Sequence, residues 1–239
     1  MSDPLPPERG YFPTTQWTEI IGPIQSGERE TAWAALNDFC ECYRMSVHNF
    51  FRRHGCDPDQ ADELTQDFFL KRILKPWDNR GGFLHVADRA RGTFRKFLAH
   101  VLWLFLKERW TAQRALRAGG AVVRIPLEEL APADELADGE AFKKFGSRFD
   151  RIFAEDLIQR AADRSKHSQH LLAHFRREMP QAQAARELGL SEDAFKLAYD
   201  RFKKRLAVDL AAEAAKIAGP DENEIRAEIC YLMSLFEGA

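Results

Sequence analysis

Apolar residues along this chain recur at steps of three and four, the period of a helix with one buried face. In "TQWTEIIGPIQSGERETAWAALNDFCECYRMSVHNFFRRHG" the positions Trp33, Leu36, Phe39 or Cys40, Tyr43, Val47 and Phe50 predict helix, turn and long helix, ended by Gly55. Asp57 then suits an N-cap and Pro58 the first helical position of the next segment. There Ala61, Leu64, Phe68 and Ile73 or Leu74 face inward, Asp59, Asp62, Glu63, Gln66 and Asp67 crowd the other side, and Pro76 ends the helix. After the loop "WDNRGGFLHVADRARG", the stretch "TFRKFLAHVLWLFLKERWTAQRALRAGG" predicts a helix of about seven turns. The spacing of Phe94, Phe97, Val101 and Phe105 makes them core, and Trp103 fits either core or surface. The acidic segment 122–142, with two prolines and little periodicity, predicts a linker. Beyond it only helical patterns follow, at 145–163, 165–178, 180–188, 191–218 and 221–236; a short extended piece at 121–126 is the one strand candidate. The expected fold class is all-α, with two helical domains joined by a linker.

Charge sharpens this division. The net charge of −2 gives no overall attraction to a polyanion, yet between Arg89 and Arg117 eight basic residues stand against one acid, Glu108. The four cysteines, Cys40, Cys42, Cys56 and Cys230, form no C-x-x-C pair and have no histidine at zinc-site spacing, so reduced thiols of a cytoplasmic protein are expected. No cationic-then-apolar leader begins the sequence, and the longest apolar run, "VLWLFL", is far too short to span a bilayer. No membrane insertion, metal or cofactor is expected. Phosphate-loop, zinc-protease and serine-hydrolase motifs are all missing from the sequence, which argues against an enzyme.

The stretch "QAQAARELGLSEDAFKLAYD" carries the pattern of a helix-turn-helix. Ala185 is small enough for two helices to cross closely, Gly189 supplies a left-handed turn, and Ser191 caps the second helix. Glu192 and Asp193 favour that helix's positive end. Phe195, Ala198 or Tyr199, Phe202 and Leu206 make its buried stripe, leaving Lys196, Arg201, Lys203, Lys204 and Arg205 on the surface, where a DNA backbone or plain solvent could meet them.

Three segments in order resemble a bacterial sigma-70 family RNA polymerase sigma factor of the extracytoplasmic-function (ECF) type. "DPDQADELTQDFFLKRIL" is similar to the family's region 2.2, "RGTFRKFLAHVLWLFLKERW" to regions 2.3 and 2.4, and "AARELGLSEDAFKLAYDRFKKRL" to region 4.2. The resemblance covers roughly 30–117 and 150–206. It implies a sigma-2-like domain at 14–118 and a sigma-4-like helix-turn-helix domain at 145–206, joined by the linker at 119–144; the flexible arm at 1–13, marked by proline and glycine, and the helical extension at 207–239 lie outside a minimal member. The extension, with "RGTFRKFL" and "RAGG", resembles an ECF-like subgroup with a C-terminal extension.

The resemblance assigns docking on core RNA polymerase, at the beta-prime clamp helices, to Asp62, Glu63, Gln66, Asp67 and Phe68; the beta flap is the implied partner of the second domain. An acidic helix face with an exposed aromatic would suit such docking. A solvated face is the plain alternative, and a carboxylate metal site is disfavoured because the acids spread around more than one face. Minus-ten DNA falls to Arg91, Arg95, Lys96, Trp103, Lys107, Arg109, Trp110 and Arg114, since cationic grooves with aromatics hold unstacked strands. Trp77, Asn79, Arg80 and Phe83 lie where family members hold a flipped-out base. Minus-35 DNA falls to Lys196, Tyr199, Asp200, Arg201 and Lys204. Here the chain departs from the common pattern: Leu197 and Ala198 stand where many members carry serine and arginine, which removes a guanine contact. An anti-sigma factor or a protein kinase is the implied regulator.

In the extension, Ile225, Ile229, Leu232 and Phe236 predict one apolar face, to dock on the preceding domain or to cover a functional surface. The alternative function is a stand-alone helix-turn-helix transcriptional regulator, which leaves the acidic and basic helices of the first half unexplained. A helical interaction module without a DNA role is the third.

Overall fold

A computed structural model describes residues 22, 29–74, 94–116, 139–165, 167–218 and 221–236. Among the described residues the fold is all-α and strand-free, with eight α-helices: α1 (Arg29–Arg53), α2 (Pro58–Phe68), α3 (Phe94–Leu116), α4 (Gly139–Asp163), α5 (Ser168–Phe175), α6 (Gln181–Glu187), α7 (Glu192–Ala218) and α8 (Glu222–Ser234). A π-helical turn, Phe69–Leu74, continues α2. No described helix is long and apolar enough to cross a membrane. The chain divides into two compact units, Met1–Phe153 and Ala154–Ala239. The helix α4 begins six residues before the expected 145, inside the segment read as linker, and contributes residues to both units.

In the first unit the end of α1 is set by local chemistry. Gly55 takes φ +84°, which only glycine adopts freely, and the amides of Gly55 and Cys56 donate to the carbonyls of Arg52 and Phe51 (3.3 and 3.2 Å). These bonds occupy two of the carbonyls that a helix C-terminus leaves open. Asp57 follows at once as a capping box, its Oδ1 accepting from the Gln60 amide at 2.8 Å while Gln60 Oε1 accepts from the Asp57 amide. Pro58 gives up no bond at its position there.

The core of this unit is aromatic. Tyr43, Phe50 and Phe51 of α1, Phe68 of α2 and Phe149 and Phe153 of α4 are fully buried. Tyr43 stacks on Phe153 at 5.0 Å and Phe50 meets Phe145 at 5.0 Å, so α1 and α4 pack directly. Trp33, expected on the buried stripe of α1, is instead 44% exposed.

Charge is buried in both units, and in the first this departs from the sequence reading. Arg95, expected to face DNA, is only 3% exposed, and its Nε donates to Asp150 of α4 at 2.6 Å. Its guanidinium also lies over the Phe153 ring. In the second unit Asp209 and Glu213 of α7 are buried and held by Arg164 (2.5 Å to Glu213), by Arg205 (2.7 Å to Asp209) and by Lys216 (2.8 Å to Glu213). Asp221 caps α8, accepting from the Asn223 and Glu224 amides. α8 packs on α7, and its buried residues are Glu224, Glu228 and Leu232. Ile225, Ile229 and Phe236, expected to lead its buried face, are half-buried, and Phe236 and Met233 rest against the core built around Leu171, Ala184, Phe195 and Phe202.

Breaking one side of a buried ion pair leaves a stranded charge. Arg95→Ala is expected to cost about 3–5 kcal/mol in urea unfolding, whereas the paired change Arg95→Met/Asp150→Leu costs less than that. Burial also pushes the Cys40 thiol from its ordinary 9.0 up to about 12. The folded chain therefore keeps a proton that the unfolded chain releases near 9, and stability falls as pH rises from 9 towards 12. Melting temperatures across that window should fall less steeply in Cys40→Ala than in the parent.

Candidate nucleic-acid interface

In the second unit a four-residue turn joins α6 to α7. Gly189 sits at φ +66°, its amide donating to Arg186 (3.1 Å) while the Leu190 amide donates to Ala185 (2.9 Å). This is the same left-handed stop that ends α1. Ser191 then caps α7, its Oγ accepting from the Ala194 amide at 3.2 Å. Ala184 and Ala185 are buried against Leu171, Leu172, Phe195 and Phe202, so small side chains let the helices approach as the spacing predicted.

Along α7 the residues Asp193, Lys196, Leu197, Asp200, Arg201 and Lys204 share one exposed face at helical spacing. Three cations stand there against two carboxylates. Lys196 pairs with Asp193 at 3.7 Å and Lys203 with Asp200 at 2.9 Å, so part of the positive charge is met on the same helix. The hydrogen bond from Lys203 holds the Asp200 carboxyl below its ordinary value. Leu197 is 53% exposed, an apolar group on an otherwise charged face.

Tyr199 needs correction as a groove-reading residue. Its ring is half-buried, stacked between Phe195 and Phe202 at 6.1 and 6.4 Å and edge-on to His174 at 4.7 Å. It braces the helix from behind, while Lys196, Asp200, Arg201 and Lys204 remain at the surface.

The first unit separates its expected site residues more sharply. Asp62, Glu63 and Gln66 are exposed on α2, with Asp62 3.7 Å from His48 of α1. Asp67 is partly covered and pairs with Lys71 at 2.7 Å and with Arg109 of α3. Phe68, expected as the exposed aromatic of a docking patch, is fully buried against Phe69 and Phe105 at 5.2 and 5.5 Å. Its position on the inner stripe of α2 leaves it no route to a partner.

On α3 Lys96 and Lys107 are exposed. Trp103 is core, covered by Phe145 and Phe142 at 4.9 and 6.4 Å, so its assignment to DNA is corrected along with that of Arg95. Arg91, the side chains of Trp110 and Arg114, and the loop residues Trp77, Asn79, Arg80 and Phe83 lie outside the described residues. The sequence reading missed the clasp between α2 and α3: Arg109 on Asp67 and Arg72 on Glu108, with both guanidiniums over the Phe105 ring. Partners 42 and 36 positions apart leave no local signal.

Among the described residues no cluster of His, Cys, Asp and Glu could hold a metal ion. Compared with protein-family models, curated proteins and solved structures, the chain gives no significant match.

A Cβ added at Gly189 would meet nothing within 4 Å, so substitution there tests backbone conformation alone. Gly189→Ala is expected to cost about 1–2 kcal/mol of stability, the penalty of a left-handed non-glycine residue. Gly189→Asn should cost less, and thermal unfolding of the two variants side by side checks the order.

Proposed function

We propose that the chain is a sigma-70 family sigma factor of the ECF type. It binds core RNA polymerase and directs promoter recognition, and it has no catalytic activity of its own. One observation carries this reading: a helix-turn-helix whose turn is closed at Gly189 and whose second helix presents Lys196, Asp200, Arg201 and Lys204 on one exposed face. A helix so presented fits the major groove, with cations for phosphates and shorter side chains for base edges.

Support from the first half is the order of the three family-like segments and the exposed polar row Asp62, Glu63 and Gln66 on α2, which suits docking by electrostatic orientation. The burial of Phe68 narrows that patch to its polar members. On this reading the polymerase contacts are the beta-prime clamp helices and the beta flap, the setting is the cytoplasm, and an anti-sigma factor or protein kinase regulates the chain. Minus-ten contacts on α3 reduce to Lys96 and Lys107 among the described side chains, because Arg109 is held by Asp67.

The stand-alone helix-turn-helix regulator is favoured by one observation, the enclosure of Phe68 and Trp103, which withdraws the two described aromatics assigned to polymerase and to melted DNA. The two readings differ in whether polymerase is needed.

A pull-down with core RNA polymerase, followed by transcription on a genomic fragment library, separates them. Asp67→Arg would break the clasp to Arg109, so Glu63→Arg is the cleaner probe. Loss of core binding in that variant at an unchanged melting temperature is expected, with new transcript starts in the parent sharing upstream elements. Duplex binding by the chain alone, with no retention on polymerase, would overturn the sigma-factor reading. Lys204→Glu should weaken promoter binding and lower its salt dependence by about one unit of slope, the share of one phosphate contact.

A further inference from the structure

On α7 the position that points straight away from the core is apolar. At about 100° per residue, Leu197 lies roughly 200° around the helix from Phe195. Phe195 is fully buried, whereas Leu197 is 53% exposed. Its neighbours one turn away on that face are charged and exposed: Asp193 before it, Asp200 and Arg201 after it, with Lys204 a turn further on. Beside it Lys196 pairs with Asp193, and Lys203 pairs with Asp200. Val208 shares the outward face and is exposed, but it lies about three turns, or about 16 Å, further along the axis.

Under the proposed function this face enters a major groove, and Leu197 then meets base edges rather than backbone. Phosphates repel the carboxylates that flank it, Asp193 and Asp200, so the cations Arg201 and Lys204 take the backbone while the turn around Leu197 sits over bases. Base edges in the major groove offer donors, acceptors and one apolar group, the C5 methyl of thymine. A donor or acceptor facing a leucine loses water without gaining a bond, which costs affinity. The methyl gains from the same contact, because both apolar surfaces leave water. The N-terminal turns of a groove-bound helix are the ones that contact bases, and the groove is about 12 Å wide, so Val208 lies beyond it.

We propose that Leu197 reads the C5 methyl of a thymine in the DNA element that α7 contacts, and so determines specificity at that base pair. The assignment rests on α7 reading duplex DNA, whether with polymerase or as a stand-alone regulator. Duplexes are selected from a randomised library by the full chain, alone and with core RNA polymerase. The selected duplexes are expected to share a thymine whose replacement by deoxyuridine weakens binding about fourfold, the weight of one buried methyl. That replacement removes the methyl and keeps every hydrogen-bonding group. Leu197→Ala should bind the thymine and deoxyuridine duplexes equally, and Val208→Ala should keep the parent's difference. Both side chains are exposed, so the melting temperatures of both variants are expected to match the parent. Failure to select any duplex in either format would overturn the reading of α7 and this assignment with it. Selected duplexes that the parent binds equally with deoxyuridine at every thymine would overturn the assignment alone. So would a Leu197→Ala variant that tells the two duplexes apart as the parent does.

Discussion

Arg95 and Asp150, both nearly removed from water, hold α3 to α4 in the first unit. A guanidinium placed there without its carboxylate would be intolerable, so the pair constrains how the two helices meet. The aromatic layer then follows. With α4 fixed, Phe149 and Phe153 reach Phe50 and Tyr43 of α1, and Phe145 covers Trp103. The same constraint explains why a basic helix presents fewer cations than its composition suggests. Arg95 is spent on the core, and Arg109 on Asp67.

Buried charge shapes the second unit as well. Asp209 and Glu213 turn inward on α7 because Arg164, Arg205 and Lys216 wait for them, and Glu224 and Glu228 of α8 lie on the buried side of that helix. α7 therefore has two parts with different tasks. Its first half puts Phe195 and Phe202 into the core shared with α5 and α6 and offers a charged face outward; its second half carries the paired acids Asp209 and Glu213, and α8 packs against the same helix. Docking of α8 on α7 is the plainer of the two fates open to the extension.

The exposed face of α7 is only weakly positive, since the Lys196–Asp193 and Lys203–Asp200 pairs set acids beside cations. Exposed pairs of this kind contribute little to stability. They do limit non-specific attraction to phosphate, which makes the proposed DNA reading depend on shape and base-edge chemistry more than on bulk charge.

Local rules made much of this protein legible from its sequence. The stops at Gly55 and Gly189, the caps at Asp57 and Ser191, and the small residues at Ala184 and Ala185 each act within a few positions, so the all-α class, most helix boundaries and the tight turn between α6 and α7 could be read directly. Periodicity also set Phe68 on the inner stripe of α2, where it lies, against the docking role that resemblance assigned to it. What only the tertiary structure decided was which charges and aromatics would be withdrawn from the surface. Arg95 finds Asp150 at a separation of 55, Arg109 finds Asp67 at 42, and Trp103 is enclosed by a helix that begins within the expected linker. A side chain's helical period tells which way it faces; whether that direction holds water, a carboxylate or another ring depends on chain far away in sequence, and only packing brings it there.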